Sequence, residues 1–65
     1  MENIIQKIYN YLKGNEDKTP REISYDLNLP TVRVMAALNM MLLGGSVVTV
    51  ENPNSGEFYY HIRQE

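Results

Sequence analysis

Several residue types that define common protein classes are missing from this chain of 65 residues. It has no cysteine, which excludes disulfide frameworks and thiolate metal sites. His61 is the only histidine, so a zinc site built from several imidazoles is excluded too. No apolar run approaches about 18 residues, and we expect no membrane partner. The start lacks the basic region of a secretory signal, so we expect a soluble, cytoplasmic protein.

The composition is that of one small folded domain. Apolar residues make up 43% of the chain and charged residues 22%, with three prolines and four glycines, which is typical of globular proteins. A chain of this size buries about 60% of its surface on folding, enough for a single core. We therefore expect residues 1–65 to form one domain. The formal net charge of −2 counts against strong binding to nucleic acid, because dedicated binders carry a basic excess.

Two helices are predicted in the first half of the chain. Apolar residues at three- and four-residue spacing predict an amphipathic helix over 2–13, with Gly14 as its left-handed stop. A polar connection follows over 15–18. The second helix begins after Thr19, which can cap it, and Glu22 can complete a capping box. The proline that follows Thr19 suits the first helical position.

The third helix, predicted over 31–43, is apolar nearly all round. A turn at Asn28, a residue type that tolerates positive φ, separates it from the second helix. We expect Val34, Leu38 and Met41 to face the core. A helix with this composition is buried on more than one side. We therefore expect its other side to be covered by something outside this chain.

The last third of the chain predicts a β-hairpin. Two strands rich in β-branched and aromatic residues, over 46–51 and 57–62, are joined by a segment dense in turn residues. Strand alternation places Phe58, Tyr60 and Ile62 against the core and the residues between them on the outside.

The spacing of apolar and turn positions from 23 to 47 carries a family resemblance. These positions are Ile23, Leu27, Asn28, Leu29, Val34, Leu38, Met41, Gly45 and Val47. They match the core spacing of the winged helix-turn-helix DNA-binding superfamily, although Asn28 stands where that superfamily usually has glycine. The stretch 29–48 resembles more narrowly the C-terminal winged-helix module of the DNA-processing protein A family, with its Pro-x-x-Arg-Val start and Gly-x-Val-Val end. The resemblance implies an α+β fold of three helices followed by a two-stranded β-hairpin wing.

The resemblance also implies duplex DNA as a partner. In winged-helix DNA binders the third helix enters the major groove and the wing touches the backbone or the minor groove. Carried onto this sequence, the nucleic-acid-binding residues are Lys18, Arg21, Thr31, Arg33 and Asn39. Arg33 has the chemistry to pair with guanine or a phosphate, and Asn39 to read adenine. Thr31 suits a phosphate or a thymine methyl group, and Arg21 suits a phosphate beside the amides of a helix start.

Basic residues are too few for tight binding. The wing tip over 52–57 contains no lysine or arginine, where DNA-binding wings usually carry at least one. Each neutralised phosphate contributes about −0.9 to the slope of affinity against salt on logarithmic axes. Three or four candidate cations therefore predict weak DNA binding that depends only shallowly on salt.

The apolar outer side of the third helix supports a second hypothesis, a module for protein–protein interaction or dimerisation. The partner would be a second copy of the chain or a larger protein. Methionine side chains adapt to irregular partners, which suits such a surface. The predicted interface residues are Val32, Met35, Ala36, Met40 and Leu43.

No pattern in the chain indicates catalysis. Its carboxylates show no paired arrangement that acid–base chemistry would need, and His61 has no nucleophile near it in sequence. Phosphate-binding glycine loops and nucleophile elbows are also missing. We expect no enzymatic activity, and hence no catalytic residues, no cofactor and no metal.

Overall fold

The computed structural model of the protein describes residues 3–64. It has an α+β fold, in which three helices are followed by a two-stranded antiparallel hairpin. The elements in chain order are α1 (Ile4–Gly14), α2 (Pro20–Leu27), α3 (Thr31–Gly44), β1 (Val47–Glu51) and β2 (Phe58–Ile62). The predicted fold class is confirmed. The predicted start of the first helix at residue 2 lies outside the described residues. The order of the elements is compatible with a winged-helix layout.

The first helix begins at a side-chain cap and ends differently from the prediction. The Asn3 side chain accepts a hydrogen bond from the Gln6 amide at 2.7 Å, which satisfies one of the amides that a helix start leaves unpaired. Gly14 is the last helical residue and has no positive φ, so its predicted role as a left-handed stop is wrong. The left-handed residue is Asp17, with a φ of 61°. The chain therefore turns after the polar connection has begun, just before Lys18.

The capping box predicted for α2 is confirmed. The Glu22 amide donates to the Thr19 hydroxyl at 3.2 Å, and the Thr19 amide donates to the Glu22 carboxylate at 3.0 Å. At the other end Asn28 has φ 56° and ψ 49°, the left-handed conformation that was predicted. Its amide donates to carbonyl groups of the last helical turn. Both ends of this short helix are thus determined by local hydrogen bonds.

A turn of three residues, 28–30, connects α2 to α3, and the chain direction changes by 119° across this break. This change of direction sets α3 across the short helix and lets the two pack. Within residues 3–64, no single helix is long and apolar enough to cross a membrane; α2 and α3 meet that test only as a bent pair, by length and composition.

The third helix supplies half of the apolar side chains that are buried among the described residues. The eight buried side chains are Ile8, Leu12, Ile23, Val34, Ala37, Leu38, Met41 and Val47. The inward positions predicted for α3 are therefore confirmed, with Ala37 as an addition. The helix ends at Gly45, whose φ of 80° requires glycine because a side chain there would be strained. An added Cβ at this position would also lie 3.2 Å from Arg63 Nη1.

The hairpin is tied to the helices by a third segment that the sequence pattern did not reveal. β1 pairs with β2 in antiparallel register, from Val47 opposite Ile62 to Glu51 opposite Phe58. On the other side of β2, the Lys18 amide donates to the Tyr60 carbonyl at 3.2 Å, and the Tyr60 amide donates back at 2.9 Å. The connection before α2 thus forms a minimal third strand and fixes the hairpin against the helices.

Strand alternation predicted the core face of β2 correctly for two residues of three. Tyr60 and Ile62 are half-buried and pack against the core. Phe58 is 49% exposed, so its predicted burial is wrong. It shares the face of Tyr60 by alternation, but it lies at the far end of the strand, beyond the buried side chains.

A side-chain hydrogen bond joins α1 to α2 outside the core. The Tyr11 hydroxyl donates to the Asp26 carboxylate. Burial, this hydrogen bond and the negative charges of Asp26 and Glu22 together raise the pKa of Tyr11 to about 12. Each of these causes disfavours the phenolate, so the folded chain holds this proton more tightly than the unfolded chain does.

Replacing the cap of α2 tests how much the capping box stabilises the fold. We expect Thr19→Ala to lower the free energy of unfolding by about 1 kcal/mol, because it leaves the Glu22 amide without its partner. Thr19→Ser keeps the hydroxyl oxygen and should cost clearly less. Urea unfolding followed by circular dichroism measures both variants. An equal loss in both would mean that the Thr19 methyl group, rather than the cap, is responsible.

Alkaline pH tests the contact between Tyr11 and Asp26. Because the pKa of Tyr11 rises from 10.0 to about 12 on folding, its contribution to stability is complete below pH 10 and is lost as pH rises from 10 to 12. We expect the protein to lose more stability over this interval than a Tyr11→Phe variant. The variant keeps every other tyrosine and lysine, so the titration of those groups affects both proteins alike. Chemical unfolding at several pH values measures the difference. Parallel curves for the two proteins would contradict the assignment.

Candidate nucleic-acid interface

A shallow groove of about 280 Å³ lies where α2, α3 and the hairpin meet. It is the place where the structure brings predicted DNA contacts from two helices together with one side of the hairpin. Its lining residues are Thr19, Pro20, Arg21, Thr31, Met35, Gly56, Glu57, Phe58 and Tyr60. Two of the predicted DNA contacts, Arg21 and Thr31, therefore share one surface, together with the predicted interface residue Met35.

Hydrogen bonds at the starts of α2 and α3 hold this groove in shape. The Ser24 hydroxyl is buried and donates to the Arg21 carbonyl at 3.0 Å. The Ser24 and Thr31 hydroxyl oxygens are also 3.0 Å apart. Since the Ser24 proton is already used, the Thr31 hydroxyl is the donor in this second bond. Thr31 then has no proton for a phosphate oxygen, and its methyl group is what it offers to DNA.

Arg21 lines the groove at a helix start that has few free amides. Pro20 has no amide proton, and the Glu22 amide already donates to Thr19. Glu57 also lines the groove, so one positive and one negative side chain face the same space. Within residues 3–64, the Arg21 side chain forms no hydrogen bond or ion pair. It is therefore available to an external anion, but the groove as a whole attracts anions weakly.

The other predicted DNA contacts lie outside the groove. Lys18 is half-buried, and its backbone is paired with β2. Arg33 and Asn39 are exposed on α3, as predicted. At 100° per residue, Arg33 lies about 160° around the helix from Thr31, so these two residues occupy opposite edges of the exposed face. Asn39 lies between them, two turns further along.

All the predicted interface residues on α3 are exposed. The exposed fraction is 78% for Val32, 52% for Met35, 61% for Met40 and 90% for Leu43, and Ala36 lies among them. Exposed residues of α3 cover about 200° of its circumference, since Thr31 and Arg33 mark the two edges. We call this surface the outer face of α3. Contiguous apolar surface of this kind marks interaction sites in soluble proteins.

Sequence reasoning missed the hairpin side of the groove. Glu57 and Phe58 line it, and neither was predicted to contribute to a site. The alternation of β2 does place Phe58 on the face of Tyr60. Whether a residue on that face is buried depends on how far the packed helices extend along the strand. The alternation of the strand does not contain that information. Pro20 was not predicted to contribute to a site either. It lines the groove because the capping box at the start of α2 lies beside the hairpin.

A larger cleft of about 620 Å³ lies at the opposite end of α3. Its lining residues are Tyr9, Gly45, Ser46, Arg63 and Gln64, and none of them was predicted to bind a partner. Among residues 3–64, no group of three or more His, Asp or Glu side chains is placed to hold a metal ion.

Comparison with protein-family models, with curated proteins and with solved structures found no match to this chain. What the molecule does has to be inferred from its own residues.

Proposed function

We propose that this chain is a winged helix-turn-helix module that binds duplex DNA weakly and without catalysis, with α3 directed into the major groove. The observation that carries the proposal is the relation of α2 to α3. Two helices that meet at about 90–120° through a turn of three or four residues form the DNA-binding helix-turn-helix. Here a turn of three residues and a change of direction of 119° meet both conditions.

The resemblance to the winged-helix superfamily, and more narrowly to the C-terminal module of the DNA-processing protein A family, supports the same proposal. The minimal strand at Lys18 adds to it, because it fixes the hairpin beside the groove, where a wing would lie next to DNA. In this arrangement Arg33 and Asn39 meet base edges or phosphates, and the Thr31 methyl group meets an apolar base edge. Arg21 meets the backbone from the start of α2.

The charges of the chain set the strength of this interaction. Arg21 and Arg33 are exposed, and Lys18 is half-buried. Three phosphate contacts give a slope of about −3 for affinity against salt on logarithmic axes. Dedicated DNA-binding proteins make more such contacts, and Glu57 in the groove opposes the phosphate backbone. Binding is therefore weak, and it is detectable only at low salt.

Arginine substitutions test the proposal. We expect the protein to bind a duplex of about 20 base pairs at low salt, and Arg33→Ala to weaken binding about fivefold or more by removing a base or phosphate contact. Arg21→Ala should weaken binding to every duplex alike and make the salt slope shallower by about 1. Fluorescence anisotropy with labelled DNA measures both effects.

Arg63→Ala is the matched control, because Arg63 lines the cleft at the opposite end of α3. It removes the same charge and should leave the affinity nearly unchanged. No binding up to about 100 µM protein at low salt would overturn the proposal, since even ordinary non-specific binding falls within that range. Equal losses for Arg33→Ala and Arg63→Ala would show that net charge, and not α3, determines the affinity.

The exposure of the outer face of α3 favours a second candidate function, self-association through that face. Leu43 is 90% exposed and Val32 is 78% exposed, although both are large apolar residues on a helix. We expect the protein to dimerise at high concentration, and Met40→Glu to abolish dimerisation by placing a charge on the face. Val50→Glu makes the same change at an exposed residue of β1 and should have no effect. Size-exclusion chromatography with light scattering measures the mass, and a monomer throughout would exclude this function.

A further inference from the structure

The groove between α2, α3 and the hairpin combines apolar side chains with two opposite charges. We infer that it binds one unpaired guanine of a DNA strand, with the phosphate of the same nucleotide held by Arg21. The inference rests on the proposed function and specifies the DNA that this module favours. That DNA is a duplex end that carries an unpaired guanine.

The apolar lining of the groove suits the flat face of a base. Phe58 and Tyr60 line it from the hairpin, and Met35 lines it from α3. Phe58 is 49% exposed and Met35 is 52% exposed, so both leave apolar surface open to an occupant. Aromatic side chains bind unpaired bases by stacking, whereas a base inside a duplex is already stacked on its neighbours. The lining therefore favours a base that is free of the duplex.

Two opposite charges line the same groove without pairing with each other. Arg21 lies in the first turn of α2, and Glu57 is the last residue before β2. Within residues 3–64, neither side chain forms a hydrogen bond or an ion pair, so the two charges are too far apart for direct contact. A ligand with an anion at one end and N–H donors at the other could contact both. A nucleotide has this arrangement, because its phosphate is anionic and its base offers N–H groups.

The carboxylate of Glu57 determines which base fits. The pairing edge of guanine offers two adjacent N–H donors, at N1 and N2, which match the two acceptor oxygens of a carboxylate. Cytosine and adenine each offer one amine beside a ring nitrogen that repels a carboxylate, and thymine has its single N–H between two carbonyl groups. On the other side of the groove, the guanidinium group of Arg21 can donate twice to a phosphate. Guanine is therefore the base that this groove selects.

Local hydrogen bonds hold the two sides of the groove in place before any ligand binds. The Glu57 amide donates to the Ser55 hydroxyl at 3.3 Å, and the Glu57 carbonyl accepts from the Asn52 amide at 2.8 Å. The Gly56 amide donates to the Asn52 carbonyl at 2.8 Å. On the helix side, the capping box at Thr19 fixes the start of α2. A groove that is already ordered loses less conformational freedom on binding.

Free nucleotides test the groove without a duplex. We expect deoxyguanosine 5′-monophosphate to bind with a dissociation constant on the order of 1–10 mM and to shift the ring signals of Phe58 and Tyr60 in NMR spectra. Thymidine 5′-monophosphate should bind about threefold or more weakly, because it offers Glu57 fewer donors. Ribose 5-phosphate has the phosphate without a base and should leave the ring signals unmoved. Equal affinities for the two nucleotides, or ring shifts with ribose 5-phosphate, would overturn the inference.

Glu57→Gln tests the contact with the edge of the base. An amide has one acceptor and one donor group, so this variant should lose the preference for guanine. Glu51→Gln is the matched control, because it removes the same charge at an exposed residue of the hairpin that does not line the groove. It should keep the preference. Loss of the preference in both variants would show that net charge, and not Glu57, determines it.

Phe58→Leu tests the stacking contact. It keeps an apolar side chain without the aromatic ring and should weaken the binding of both nucleotides about threefold or more. Phe58 is half exposed, so we expect the variant to remain folded, and circular dichroism checks this. Unchanged affinity for deoxyguanosine 5′-monophosphate in the folded variant would contradict stacking on Phe58.

Duplexes with different ends connect the groove to the proposed function. We expect a duplex of about 16 base pairs that ends in one unpaired guanine to bind about threefold or more tightly than the same duplex with an unpaired thymine or a blunt end. Fluorescence anisotropy at low salt measures the three affinities. If all three duplexes bind alike, the inference fails and the proposed function stands. If the guanine nucleotide binds as expected but no duplex binds up to about 100 µM protein, the proposed function fails and the guanine site stands.

Discussion

The packing of α3 against α1 and α2 is the constraint on which the rest of the structure depends. Val34, Leu38 and Met41 are three of the eight apolar side chains that are buried among the described residues. In so small a domain each buried side chain is a large share of the total, and a chain without cysteine has no disulfide to compensate for its loss. The rotation of α3 about its axis is therefore fixed by its inner face. Whatever its outer face presents to a partner follows from that rotation.

The structure gives the two faces of α3 different physical roles. The inner face stabilises the fold, while the outer face leaves the side chains of Leu43 and Val32 in water. The two functions proposed for this face, DNA binding and self-association, make different demands on its residues. DNA requires cations, of which Arg33 is the only one on this face. A second copy of the chain would require exposed apolar surface, which Val32 and Leu43 supply.

Local signals explain how much of the fold could be predicted. The capping box at Thr19 and the left-handed Asn28 depend on residues within one turn of each other, so the sequence contains all that determines them. The inward positions of α3 follow from helical periodicity. Gly14 shows the limit of such reasoning. Glycine there permits a left-handed stop, but the path of the chain to Lys18 puts the positive φ at Asp17.

The candidate site was predicted less completely, because it depends on contacts between distant segments. Arg21 was predicted from its position at a helix start, and Thr31 from the resemblance to winged-helix DNA binders. Their meeting in one groove with Phe58 depends on the docking of the hairpin. The hydroxyl group of Thr31 also forms a hydrogen bond with the hydroxyl group of Ser24, a contact between two different helices. No pattern within a single element contains that information.

The pairing of Lys18 with Tyr60 has a consequence for the order in which the protein folds. The two residues are far apart in sequence, and a contact of this kind forms slowly because a long loop of chain has to close first. The helices depend on contacts between near neighbours in sequence and can form earlier. The groove is complete only when the hairpin has docked.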